Sequence, residues 1–406
     1  MSELYELPNG WEWKTLDECT ELITKGTTPT TNGYKFLDKG INFLKIENIV
    51  NGEINLSTIE MFISEEAHQS QKRSQLKEND VLFSIAGTIG DTAIVKKEHL
   101  PMNTNQAIAL IRPKKILNSS FLRYSLLSIV SENTKDKQRG GAIKNISLGD
   151  IKELMYPLPP LPEQKRIVAK LDLLFAKIDK SIALHQKNID EANAFMGSVL
   201  NEVFVELEEK YVSKSIETFS RVGTGVTPLK NKLEYYDNGN INWITSRATN
   251  NEFVYEAEQL ITKTALDECR LKMNPIGTLI VALYGQGKTR GQVSELKIES
   301  ATNQAIATII VDDSQSINIF LKYFLKKSYF DLRDLASGGT QPNLNLSIIK
   351  GIKVPLPPLQ IQQKVVNYLD SVSQRMEKVK TIQKDKMVNL KALKASLLDR
   401  AFRGEL

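Results

Sequence analysis

Two stretches of this chain repeat apolar residues in steps of three and four, and the remainder does not. The first runs through Leu171, Leu174, Ile178, Ile182, His185, Ile189, Ala192, Met196, Val199 and Val203. The second runs through Leu369, Val372, Met376, Val379, Gln383, Met387, Leu390, Leu393 or Lys394, Leu397 and Ala401. Such spacing predicts two long helices, each with one coiled-coil stripe. Prolines 157, 159, 160 and 162 break helical geometry, so the first helix is expected to begin just after them. About 43 residues at ~1.5 Å each give a rod of roughly 65 Å. A helix with one apolar stripe needs a partner, and the two can cover each other if they run antiparallel. His185 and Gln383 fall at equivalent stripe positions and read as tolerated polar layers rather than a register-setting contact. Elsewhere the pattern is shorter. Residues 41–46 and 278–283 read as strands, and 121–130 and 319–327 as short helices. Strict βαβ alternation is missing, which places the fold in the α+β class.

The two stripes belong to a larger repeat. Pro157-Leu158-Pro159-Pro160-Leu161 returns as Pro355-Leu356-Pro357-Pro358-Leu359, and the same offset pairs Gln164 with Gln362, Leu171-Asp172 with Leu369-Asp370, and Phe204 with Phe402. It reaches back to Asn105-Gln106-Ala107-Ile108-Ala109 against Asn303-Gln304-Ala305-Ile306-Ala307. Gly26-Thr27-Thr28-Pro29 matches Gly225-Val226-Thr227-Pro228 after small shifts. The chain is therefore two copies of one module. The expected division is a globular domain over 1–156, a Pro-rich hinge and helix over 157–208, a second globular domain over 209–354, and a second hinge and helix over 355–406. The Asn-Gln-Ala-Ile-Ala motif is kept in both copies, which argues for a structural role such as a buried amide bracing two strands.

Composition narrows the class only a little. The 406 residues, 41% hydrophobic and 25% charged, are those of a soluble globular protein of more than one domain. Two cysteines and the lack of a signal-peptide pattern suit a cytoplasmic protein, and three scattered histidines give no metal-ligand spacing. A net charge of +5 permits nucleic-acid binding without establishing it. Catalytic signatures are weak. Ala282-Leu283-Tyr284-Gly285-Gln286-Gly287-Lys288-Thr289 is a relaxed P-loop pattern, which would make the chain an ATPase. A P-loop needs a helix next, and Arg290-Gly291-Gln292-Val293 reads as a turn and a strand. The run is better read as a loop presenting cations to DNA. No adenine-methyltransferase motif or acidic nuclease cluster is present, and Glu206, Glu208 and Glu209 read as a solvated helix face.

Two similar heads on a stiff rod form a ruler, suited to a periodic ligand whose half-sites lie one helical turn, about 34 Å, or a multiple apart. The PLPPL hinge, the Gln164-Lys165-Arg166-Ile167-Val168 helix start and the closing Leu398-Asp399-Arg400-Ala401-Phe402-Arg403-Gly404-Glu405-Leu406 resemble the specificity subunits of type I restriction-modification systems. Leu7-Pro8-Asn9-Gly10-Trp11 and Gly26-Thr27-Thr28-Pro29 resemble that family's opening segments. The resemblance covers the whole chain. It implies two mixed α/β target-recognition domains joined by two long antiparallel coiled-coil helices with pseudo-twofold symmetry. It further implies that each domain reads half of a bipartite, asymmetric DNA site while the helices set the spacer. Two methylation subunits and two restriction subunits would dock, bringing S-adenosylmethionine, ATP and Mg, so that this chain holds no cofactor and is no enzyme.

Candidate DNA contacts follow from residue type, since phosphates take Lys, Arg and hydroxyls while base edges take Arg, Lys, Asn and Gln. In the first copy they are Lys25, Thr27, Thr28, Lys45, Asn48, Thr88, Lys135, Lys137, Arg139 and Lys144. In the second they are Arg221, Thr224, Thr227, Lys230, Ser246, Arg247, Tyr284, Gln286, Lys288 and Arg290. The alternative is a two-headed scaffold that binds proteins and not DNA.

Overall fold

The computed structural model describes residues 5–87, 89–137, 146–285, 289–335 and 343–406, with side chains except at 129–137, 334 and 335. Contacts divide the chain into two compact units, residues 1–185 with 384–406, and residues 186–383. Each long helix is thus shared between the units, whereas division at the hinges keeps helices and globular parts separate.

The first unit opens with β1 (Glu12–Thr15), the short helix α1 (Leu16–Cys19) and β2 (Thr20–Lys25). Next come β3 (Ile41–Leu44), the hairpin β4 (Ile49–Val50) and β5 (Glu53–Ile54), β6 (Phe62–Ile63) and α2 (Glu65–Ser70). Strands β7 (Val81–Ser84), β8 (Thr92–Ile94), β9 (Met102–Thr104) and β10 (Ile108–Pro113) follow. Helices α3 (Ser119–Lys137) and α4 (Leu148–Lys152), strand β11 (Met155–Leu158) and the long α5 (Leu161–Lys210) complete the module. The main sheet has the antiparallel order β2-β10-β7-β8, and a smaller one the order β6-β3-β9 with β3 parallel to β9. Strand β10 is central and apolar on both faces. Ala109 and Ile111 face Phe121 and Leu122 of α3, while Ile108 and Leu110 face a second core with Leu44, Leu82 and Met102. Burial on both faces is why this strand reads as a run instead of an alternation.

The second unit repeats the plan with β12 (Ser213–Ser215), β13 (Ser220–Thr224), β14 (Ile241–Ile244), β15 (Phe253–Val254), β16 (Gln259–Ile261) and α6 (Lys263–Glu268). It continues with β17 (Leu279–Ala282), β18 (Val293–Leu296), β19 (Ala301–Thr302) and β20 (Ile306–Val311). Helices α7 (Asn318–Lys327), α8 (Tyr329–Leu335) and α9 (Leu346–Gly351), strand β21 (Lys353–Pro355) and the long α10 (Leu359–Phe402) close it. Its sheets run β13-β20-β17-β18-β15 and β16-β14-β19. Only the added edge strand β15, parallel to β18, departs from the first unit's strand orders in these sheets. The expected α+β class and the twofold repetition of one fold are both present.

The helices run 50 and 44 residues, longer than the stripes imply. Pro162 lies inside the first turn of α5 and not before it, because a first-turn residue has no intrahelical acceptor for its N–H and proline lacks none that is needed. Within the first unit the Lys394 ammonium meets Asp179 at 2.7 Å and an Arg166 guanidinium N–H donates to the Leu406 carbonyl at 2.6 Å, so the helices run antiparallel. Within the second, Lys380 donates to Asn193 at 3.1 Å in the same sense. One stripe position is corrected, since Val379 is exposed and Lys380 turns inward in its place, and of the alternatives Leu393 and Lys394 it is Lys394 that turns inward. Long lysine stems cover apolar surface and keep their charge at the edge.

Helix and globular part are tied by matched contacts. Tyr124 donates to Asp172 in the first unit and Tyr323 to Asp370 in the second. Phe402 packs edge-on against Phe121, and Phe204 against Phe320. Beside those tyrosines the copies differ. Arg123 stands where the second unit has Lys322, which is 3% exposed, 3.6 Å from Glu252 and 3.7 Å from Glu295, with Lys297 and Lys326 nearby and its ammonium over the Phe253 ring. Burial pushes the Lys322 pKa down to about 8, the neighbouring Lys326 charge adding to this and the glutamates opposing it. The folded state therefore holds this proton less tightly than the unfolded chain does. Charged Lys322 costs stability below pH 8, and the cost fades as pH rises toward the unfolded value of 10.5. Tyr323, raised by burial, opposes this only above pH 10. Chemical denaturation of the second unit should show stability rising between pH 8 and 10. Lys322→Met should flatten that rise; an unchanged slope would show that Lys322 keeps an ordinary pKa.

Candidate nucleic-acid interface

Each unit gathers three loops around one turn. In the first, β9 ends at Thr104 and Asn105-Gln106-Ala107 leads into β10. The Thr27 N–H donates to the Thr104 carbonyl at 3.0 Å, the Thr104 hydroxyl to the Leu44 carbonyl at 3.2 Å, and the Ile85 N–H to the Ala107 carbonyl at 2.9 Å. The loops beginning at Gly26, Lys45 and Ala86 therefore leave from one hub. In the second unit the Val226 N–H donates to the Thr302 carbonyl at 3.1 Å, Asn303 N–H to the Ile244 carbonyl at 3.1 Å, and Leu283 N–H to the Ala305 carbonyl at 2.8 Å. Loops from Gly225, Thr245 and Tyr284 meet there in the same way. This explains why the Asn-Gln-Ala-Ile-Ala motif recurs, though not through a buried amide. Asn105 and Asn303 are half-buried and accept from the Ala107 and Ala305 N–H groups, closing the turn, and the adjacent glutamines are exposed.

Gly26 and Gly225 are the tightest points of these hubs. A Cβ at Gly26 would stand 2.0 Å from the Thr104 carbonyl oxygen, and one at Gly225 1.6 Å from that of Thr302. Only glycine lets two backbones approach so closely. The following threonines then reach across: Thr28 donates to Gln106 Oε1 and Thr227 to Gln304 Oε1.

Among the candidates, Thr27, Thr28 and Thr227 lie half-buried at the hub, and Lys25, Thr224, Lys230 and Arg247 are exposed beside it or on its loops. Thr224 spends its hydroxyl on the Ile306 carbonyl at 2.7 Å. Lys45 is half-buried, 3.6 Å from Glu47. Asn48 is corrected: it is 4% exposed, accepts from the Lys45 N–H at 2.9 Å and donates to the Thr58 carbonyl at 2.7 Å, so its amide shapes the turn and cannot meet a base. Arg221 sits at the other end of β13 from Gly225 and is not brought to the hub. Tyr284 is exposed, while Arg290 is half-buried with its carbonyl accepting from Arg333 of α8 at 3.1 Å. Lys135 and Lys137 fall at the end of α3 with side chains outside the described set, and Thr88, Arg139, Lys144, Gln286 and Lys288 lie outside the described residues.

In the second unit Ser246, Arg247, Asn250, Asn251, Glu258, Gly285 and Thr289 line an open groove of about 590 Å³. Thr289 donates to Asn250 at 3.2 Å across it. Asn250 and Thr289 are not among the candidate contacts read from the sequence, because nothing in their spacing separates a groove wall from an ordinary loop, and the hub glutamines figure there only within the repeated motif given a structural role. After Thr289 the chain turns at Gly291 and enters β18, with no helix to complete a phosphate-binding P-loop. No described helix is long and apolar enough to cross a membrane.

Comparison with known proteins agrees with this architecture. The chain is 23% identical over 423 residues to the type I restriction enzyme StySPI specificity subunit of Salmonella potsdam, covering 99% of this chain and 90% of that protein. It is 26% identical to the putative MjaX specificity subunit of Methanocaldococcus jannaschii, covering 98% and 94%. Among solved structures, a chain from a study of complex assembly and conformational transition of the type I R-M system superposes with a TM-score of 0.74 at 23% identity, covering 99% of this chain and all of that one. The HsdS subunit of Thermoanaerobacter tengcongensis gives 0.53 at 21%, covering 100% and 99%. The family model for the type I restriction modification DNA specificity domain matches twice, over residues 8–194 and 208–385. With both modules matched and DNA specificity their defining property, the protein-binding scaffold loses its support, and the chain belongs to the type I restriction modification DNA specificity domain family.

Proposed function

We propose that each unit reads one half of a bipartite, asymmetric double-stranded DNA site, and that α5 and α10 set the length of the unread spacer. The chain supplies specificity and not catalysis. Two methylation subunits dock on it in the cytoplasm, two restriction subunits join for cleavage, and these partners bring S-adenosylmethionine, ATP and Mg. The observation that carries this reading is one hub built twice with different residues on its loops. Lys45 and Glu47 in the first copy are replaced by Thr245 and Arg247 in the second. Identical scaffolds with unlike reading edges suit two unlike half-sites. Of the candidates, Lys25, Thr27, Lys45, Lys230, Ser246, Arg247 and Tyr284 are the contacts this arrangement favours, together with Lys288, while Thr28 and Thr227 give their hydroxyl protons to the hub glutamines.

Mapping methylated adenines in the source genome tests the proposal. Two different short motifs at one fixed separation are expected; a single contiguous motif or a palindrome would refute it. Adding about four residues to both α5 and α10 lengthens each by ~6 Å. The preferred spacer should then grow by one or two base pairs, and an unchanged spacer would remove the helices as its determinant.

A further inference from the structure

The hub glutamines have a use that the turn itself does not require. Asn105 and Asn303 already close the two turns with their side-chain oxygens. Gln106 and Gln304, one residue on, are exposed in both units, and each has its Oε1 held by a loop threonine, Thr28 or Thr227. Among the described residues no partner takes either Nε2. An exposed amide fixed at one end presents its two N–H donors in a set direction, at the centre of the loops assigned above to DNA. The glutamine is the same in both copies while the residues flanking it on the neighbouring loops differ.

We propose that Gln106 and Gln304 are matched, sequence-independent contacts to the DNA backbone, each donating an amide N–H to a phosphate oxygen and so seating its unit in the same way on two unlike half-sites. An identical side chain at equivalent places cannot discriminate between different base pairs, but every base pair carries the same phosphate. The threonines act as positioning residues: their hydroxyls occupy Oε1 and turn the donors outward. Gly26 and Gly225 allow the loop to lie close enough for that hydrogen bond. The inference rests on the DNA-reading function proposed above.

The test uses the full chain in complex with its methylation subunits, binding a duplex with the cognate site and an unrelated duplex. Gln106→Ala and Gln304→Ala should each weaken both duplexes about three- to tenfold, the effect of one net hydrogen bond, with the recognised motif unchanged. The salt dependence should stay the same, because a neutral amide displaces no counterion. Gln106→Glu and Gln304→Glu keep an acceptor for the threonine yet bring a negative charge to phosphate, and should weaken binding more than alanine does. Wild-type affinity in the Glu variants would show that the glutamine only braces the loop and overturn the proposal. A loss confined to the cognate duplex would overturn it too, by making the contact a base contact. Failure of the wild-type complex to bind either duplex would sink the DNA-reading function itself.

Discussion

Gly225→Ala is expected to abolish recognition of one half-site while leaving the other intact. The added methyl would stand 1.6 Å from the Thr302 carbonyl oxygen, and both partners are backbone, so no side chain can rotate away. The loop must lift. It would lose the Val226 N–H bond to Thr302 and the Thr227 bond to Gln304, and with them its position at the hub. Losing the contacts to even one base pair weakens binding by about 1–3 kcal/mol, and a displaced loop forfeits several such contacts. A loss of a hundredfold or more is expected for duplexes that depend on the half-site read by residues 186–383. Gly26→Ala should act likewise on the other half-site, since its Cβ would meet Thr104 at 2.0 Å. Gly197→Ala is the matching control. It lies inside α5 with nothing within 4 Å of the new methyl, and should stabilise the helix by ~0.5–1 kcal/mol without touching recognition. Binding assays with each half-site scrambled in turn would check all three. Equal losses at both half-sites from Gly225→Ala would mean that the loop serves general attraction only.

What could be read from the sequence follows from what repeats. Apolar periodicity marked both long helices, and the offset of Asn-Gln-Ala-Ile-Ala marked the hub, because each pattern is local along the chain. The hub's inner logic was not local. Asn105 and Gln106 are adjacent amides on one turn, and only the fold shows that the first closes the turn while the second faces outward. Asn48 looked like a base reader for the same reason: its residue type suits adenine, but the fold turns it inward onto Thr58. The edge strand β15 is two residues long, too short for a period to register. Pro162 misled on the helix start, since proline is barred from helix interiors and welcome in first turns. Residue type gives what a side chain can do; burial decides which of those things it does.

The buried pair Gln164 and Gln362 shows the same principle at its largest energetic effect. Both follow the PLPPL hinge by three residues, and both are fully buried. Gln362 donates to the Pro357 carbonyl at 2.9 Å and the Gln315 carbonyl at 3.0 Å, and its oxygen accepts from the Ile317 N–H at 2.9 Å. Gln164 does the same for the Pro159 and Ile116 carbonyls and the Asn118 N–H. One amide thus holds the hinge, the start of a long helix and the approach to α3 or α7 together. Hinge prolines have no N–H to offer, so their carbonyls and the helix entrance must be satisfied from elsewhere. Methionine matches the shape of glutamine but leaves three backbone groups without partners, the proline carbonyl buried and the other two part-buried, each costing up to roughly 1–3 kcal/mol. Gln362→Met should therefore destabilise the second unit by ~4 kcal/mol, a large share of the stability of an ordinary domain. Gln164→Met should do so to the first. Denaturant titrations resolve the two units if they melt separately, and the variant unit alone should shift. A change under ~1 kcal/mol would mean that water replaces the amide and that the hinge does not depend on it.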